Sequence, residues 1–69
     1  MKLKNIKTRD VIKILEQNGF RINRQTGTHL IMRKDNITTV VPTHKDRIPI
    51  GTLKSIEKQS GVNFREAFL

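Results

Sequence analysis

The stretch FRINRQTGTHLIMRKDNITTVV, residues 20–41, decides the fold. Phe20 to Arg24 alternates apolar and polar residues, the period of a strand with one covered face. Gln25-Thr26-Gly27 reads as a turn, with Gly27 able to take the positive φ a tight reversal needs. Thr28 to Arg33 is a second strand and Lys34-Asp35-Asn36 a second turn. Ile37 to Val41 is β-branched throughout and forms a third strand, ended by Pro42, which cannot donate to a ladder. Turns this short cannot carry a parallel crossover, so the three strands form an antiparallel meander.

Helical periodicity flanks the meander on both sides. Val11, Ile14 and Leu15 make an apolar stripe, with Ile12 beside it. Thr8 is the expected N-cap, Asp10 suits the positive end of the dipole, and Asn18-Gly19 supplies the stop. The spacing predicts a first helix over about 9–18, preceded by a polar lead-in with Leu3 and Ile6 as anchors. After a polar, basic loop from Thr43 to Pro49, residues Ile50, Leu53, Ile56 and Ser60 share one face of a second helix closed by Gly61. Asn63-Phe-Arg-Glu66 resembles a capping box opening a short terminal turn, with Phe64 and Phe68 as packing residues. The expected architecture is α+β, one domain over 1–69, in the order α-β-β-β-α. Two helices cover one face of a three-stranded antiparallel sheet and leave the other face open.

Composition narrows the function. A chain of 69 residues buries only about 60% of its unfolded surface. It has no room for a deep enclosed pocket or a cofactor fold, so any site lies on an open surface and no cofactor is expected. Cysteine is absent and only two histidines occur, which argues against a metal site built from protein ligands. The lack of cysteine suits a reducing cytoplasm, and the polar residues after Met1 give no secretory signal. No apolar run exceeds the three residues Leu30-Ile31-Met32, so no membrane span is expected.

Charge is the most informative bulk property. Fourteen Lys and Arg against six Asp and Glu give a net charge of +8 and a pI near 10.7. A basic body attracts polyanions at long range. A membrane surface would call for the cations on one long amphipathic helix. Here they are spread over helices, strands and loops, which favours nucleic acid over a membrane or an acidic protein. A solvated surface that only maintains solubility is the plainer alternative.

Two histidines are the candidates for chemistry. If Leu30 and Met32 face the helices, strand alternation turns His29, Ile31 and Arg33 outward. An imidazole, the side chain whose ordinary titration falls near neutral pH, then stands on the open face beside a guanidinium. Ribonucleolysis asks for a group that moves a proton at the 2′-hydroxyl or the leaving oxygen, and for cations that stabilise phosphorane charge. Spacing alone favours a surface histidine of no function over a catalytic one. His44 follows the third strand, whose end lies near the start of the second. It is either an accessory titrating group near His29 or a cap for the loop and following helix. Gly51-Thr52-Leu53 opens the second helix and either holds a phosphate on its free N–H groups or simply permits a tight joint. Lys45, Arg47, Lys54 and Lys58 are candidate contacts to RNA phosphates, as is Arg33, or else solvated charges.

Taken together, these segments resemble the HicA, or YcfA-like, family of type II toxin–antitoxin systems. Val11-Ile-Lys-Ile-Leu-Glu-Gln-Asn-Gly-Phe20 is similar to the family's first helix and its Gly-aromatic exit. Gly27-Thr28-His29 resembles its glycine–serine/threonine–histidine signature. Thr39-Val-Val-Pro-Thr-His44 resembles its Val-Pro-x-His segment. Gly51-Thr-Leu-Lys-Ser-Ile56, followed by Lys58-Gln-Ser-Gly61, resembles its second helix. The resemblance covers nearly the whole chain and implies a double-stranded-RNA-binding-domain-like fold. It also implies metal-independent cleavage of mRNA that arrests translation, and neutralisation by a HicB-type antitoxin. The family's catalytic histidine falls on His29. Many members carry a second histidine directly after it, where this chain has Leu30, a position that strand parity turns toward the core. The alternatives are a non-catalytic RNA-binding module of the same fold, and an adaptor that binds an acidic protein.

Overall fold

The computed structural model describes residues 6–64. Its elements run β1 (Ile6–Lys7), α1 (Thr8–Gln17), β2 (Arg21–Thr26), β3 (His29–Lys34), β4 (Ile37–Pro42), β5 (Arg47–Ile48) and α2 (Ile50–Ser60). The expected α-β-β-β-α order is present, with the central sheet ordered β2-β3-β4 and both pairings antiparallel. The anchors and packing residues expected at Leu3 and Phe68, and the expected turn beyond Phe64, lie outside the described residues.

Alternation along β3 sorts the sheet into two faces. Leu30 and Met32 are buried, whereas His29 and Arg33 are exposed and Ile31 is half-buried. Val41 and Thr39, opposite Leu30 and Met32, are buried with them. Val11, Ile14 and Leu15 of α1 and Leu53 and Ile56 of α2 complete this core with Phe20, Val62 and Phe64. Both helices therefore cover the same face, and among the described residues no element covers the other.

A few side chains tie α2 to the sheet. The buried Thr39 donates its hydroxyl to Gln59 Oε1 at 3.0 Å. The Val40 N–H, on the outer edge of β4, donates to the same oxygen at 3.5 Å. Gln59 thus occupies part of an edge that would otherwise offer unpaired backbone groups. Helix α2 closes at Gly61 with φ of 75°, a left-handed value that costs an L-residue with a Cβ roughly 1 kcal/mol or more. The Glu57 carboxylate then accepts the Phe64 N–H at 2.9 Å, folding the chain back onto the core.

Three expectations need correction. Thr8 is not the N-cap: Lys7 holds that position, and no side chain caps the helix. Thr8 instead donates its hydroxyl to the Lys45 carbonyl at 2.7 Å, while its N–H donates to the Asp46 carbonyl at 2.7 Å. The loop from Thr43 to Pro49 is consequently not free. It carries β5, which pairs antiparallel with β1 through Ile6–Ile48 and Lys7–Arg47. A two-residue ladder leaves no readable periodicity, which is why it escapes sequence analysis. Finally, Ile50 does not join the buried face of α2. It sits at the first helical position and is 39% exposed, because the buried face of α2 begins only a turn later at Leu53.

Candidate functional site on the open sheet face

The hairpin that presents His29 follows from local sequence. Gly27 adopts φ of 52°, and Gly27-Thr28 joins β2 to β3 so that Thr26 pairs with His29. The Thr28 hydroxyl lies 3.5 Å from His29 Nδ1. That contact is too long to fix the ring firmly, as is common before a substrate is bound. Among the described residues no other hydrogen bond to the imidazole is made, and the ring stands exposed on the uncovered face.

His29 has Pro42 opposite it on β4. Immediately beyond, the Thr43 N–H donates to the Thr28 carbonyl at 2.6 Å, extending the ladder one step. His44 follows, lining a small depression of about 210 Å³ with Pro42, Lys45, Arg47 and Thr52 among its walls. His44, Lys45 and Arg47 thus share a depression with Pro42, the residue opposite His29 at the end of the sheet where β3 begins and β4 stops, although His29 itself does not line it.

Two other expected groups are not part of this cluster. Arg33 shares the open face with His29 but lies four residues further along β3, roughly 13 Å away at strand rise. Its Nε donates to the Asp35 carbonyl at 2.8 Å, at the opposite turn. The expected guanidinium beside His29 is thus not Arg33. Lys54 and Lys58 lie at a separate depression on α2, with Glu57, Val62 and Asn63. They are exposed but belong to the helical side of the molecule. Gly51 is exposed at the start of α2, and a side chain there would meet nothing within 4 Å, so no close approach demands glycine.

By ladder register, the arginine position nearest His29 on the open face is on β2. Simple alternation from Phe20 and Ile22 would put Arg24 on the covered side. The pairing register shifts between Ile22 and Arg24, however. That bulge turns Arg24 to the open face opposite Ile31, diagonal to His29 and roughly 7–8 Å from it. Arg21, opposite Arg33, is on the same face. A bulge of one residue flips every later side chain, and nothing in Ile22-Asn23-Arg24 announces it. The open face therefore carries three arginines and a histidine around a half-buried Ile31.

Among the described residues no three His, Cys, Asp or Glu side chains gather as a metal-holding group, and no helix is long and apolar enough to cross a membrane.

These features define a class: a small basic α+β protein whose helices cover one sheet face and whose other face presents arginines and an exposed histidine. Over residues 8–62 the chain matches the family model described as HicA toxin of bacterial toxin-antitoxin. It belongs to that family, and is accordingly a toxin of a toxin–antitoxin system with an antitoxin as its counterpart. No curated protein matches the chain.

Proposed function

We propose that this toxin is an endoribonuclease that cleaves mRNA in the cytoplasm without a metal ion, using His29 as its proton-transfer group. The observation that carries the reading is the placement of His29: an exposed imidazole on the uncovered sheet face, diagonal to Arg24 and next to the end of β4 where Lys45 and Arg47 emerge. In the chemistry this supports, His29 takes the proton from a ribose 2′-hydroxyl. The 2′-oxygen then bonds to the adjacent phosphorus, and the bond from phosphorus to the 5′-oxygen breaks. The leaving oxygen receives a proton from imidazolium, either His29 itself or His44, leaving a 2′,3′-cyclic phosphate and a free 5′-hydroxyl. Arg24 and Lys45 stabilise the added negative charge on phosphorus. Arg33, Arg47, Lys54 and Lys58 serve as contacts to flanking phosphates, the last two only for RNA long enough to wrap onto α2.

Binding in this reading is electrostatic. The net charge is +8, and the chain has three Phe but no Tyr or Trp, so it offers little surface on which bases can stack. The purified toxin is expected to cleave mRNA in the presence of a chelator. Its affinity for a catalytically inert RNA should fall steeply with salt, log K dropping by roughly 0.7 per phosphate contact for each decade of salt on a single strand. Fluorescence anisotropy from low to physiological salt measures this. A flat dependence removes the electrostatic reading, and steep binding without cleavage returns the protein to the non-catalytic module.

Control of such a protein calls for a complementary cover, since a free cation of this size binds RNA wherever it meets it. The HicB-type antitoxin is expected to present acidic groups to the open face. Because Arg33 stands toward one end of that face and Lys45 just beyond the other, past the residue opposite His29, a partner that protects both also covers His29. Cross-linking of the complex checks this. Cross-links restricted to the exposed side of α1, at Lys13 and Glu16, with His29 still reactive, would place the antitoxin elsewhere.

A further inference from the structure

We infer that the cleft between the start of α1 and the β4–α2 connection, lined by Lys7, Arg9, Lys45 and Arg47, is a subsite for a backbone phosphate of the RNA strand lying across His29. The inference rests on the ribonuclease reading and extends it to two cations, Lys7 and Arg9, that strand and helix patterning did not single out.

The cleft has a volume of about 520 Å³ and is walled by four cationic side chains against one acid, Asp46. Its cations come from two distant segments, residues 7–9 and 45–47, that the fold brings together. The β1–β5 ladder sets Lys7 directly opposite Arg47. The two hydrogen bonds from Thr8 to the carbonyls of Lys45 and Asp46 then lock the loop carrying Lys45 against α1. The ladder and the Thr8 bonds thus hold Lys7, Arg9 and Lys45 around one cleft, where their summed charge favours an anion.

Continuity with His29 identifies the anion. Thr43 lines this cleft, and its N–H is bonded to the carbonyl of Thr28, the residue before His29. The cleft therefore begins one strand spacing, roughly 5 Å, from the start of β3. Lys45 and Arg47 line both this cleft and the depression at His44. A nucleic-acid strand that places one phosphate at His29 thus has its neighbouring phosphates directed into a continuous run of cations. A phosphodiester is the ligand chemistry that fits: singly charged, repeated along a strand, and satisfied by Lys and Arg without base readout.

The test compares three forms of the full chain with matched melting temperatures: wild type, Lys7→Ala/Arg9→Ala, and Lys13→Ala/Lys34→Ala, which removes equal charge away from the cleft. The probe is a short single-stranded RNA of mixed sequence with 2′-O-methyl groups, which cannot be cleaved. Loss of this phosphate contact is expected to lower the salt slope by roughly 0.7 in the cleft variant and by far less in the other. With cleavable RNA the cleft variant should show a raised KM and an almost unchanged kcat. Should alanine at these positions upset the β1–β5 ladder, Lys7→Gln/Arg9→Gln keeps the side-chain length. Equal slopes in the two double variants overturn the subsite, as does an unchanged RNA affinity accompanied by lost antitoxin binding, which would make the cleft a protein contact. Failure of the wild type itself to bind RNA overturns the ribonuclease reading and this inference with it. Binding without cleavage overturns only the former.

Discussion

His29→Ala is expected to lower RNA cleavage by about 10²–10⁴-fold, the usual contribution of a general acid or base, while leaving folding, RNA binding and antitoxin binding intact. The imidazole is exposed on the uncovered sheet face and makes only a long contact to the Thr28 hydroxyl. Its removal leaves no core cavity, and substitutions at such surface positions usually change stability by less than about 0.5 kcal/mol. His29→Gln should be as inactive as alanine, since it keeps hydrogen bonding but cannot exchange a proton near neutral pH. His44→Ala separates the two histidines. A smaller loss makes His44 a positioning residue, and an equal loss makes the two an acid–base pair. Cleavage by purified variants of verified melting temperature, together with growth after induction in bacteria, measures the effect. A folded His29→Ala protein that still cleaves near the wild-type rate ends the catalytic assignment.

Phe64→Ala is expected to have the largest effect on stability. Phe64 is fully buried, although it lies past the end of α2 and beyond the segment 8–62 matched to the family. Truncating a buried phenylalanine costs about 3–5 kcal/mol. Globular proteins hold only about 0.05–0.15 kcal/mol per residue, so for 69 residues the loss takes a large share of the total. Domains of this size lose roughly 4–8 °C in Tm per kcal/mol, so thermal unfolding should fall by about 12 °C or more. The defect should be one of folding alone: below its lowered Tm the variant should cleave normally per folded molecule. An unchanged Tm would mean that the residues after Gly61 are not part of the core. The two substitutions thus dissociate in opposite directions, one stable and inactive, the other active when folded but easily unfolded.

The same contrast divides what was legible in the sequence from what was not. Periodicity, turn residues and capping signals suffice for both helices, the three-strand meander, the parity that turns His29 out and Leu30 in, and Phe64 as a packing residue. These are local properties, because alternation and the helical repeat act between residues a few positions apart. The neighbours of His29 were not legible in this way. Arg33 was read as its companion because the two share a face, yet four residues of strand separate them, and Arg24 takes that place through a bulge. Thr8 looked like a helix cap and instead bonds to carbonyls at Lys45 and Asp46, 37 residues away in the first case. The two-residue β1–β5 ladder, which joins Lys7 to Arg47, is too short to leave a pattern. The sequence by itself therefore determined the order of the two helices and the three-strand meander, which faces are apolar, and the outward placement of His29. Only the tertiary structure decided which cations stand around that histidine, because a bulge, a side-chain bond to a distant carbonyl and a minimal ladder depend on contacts made after the elements have packed.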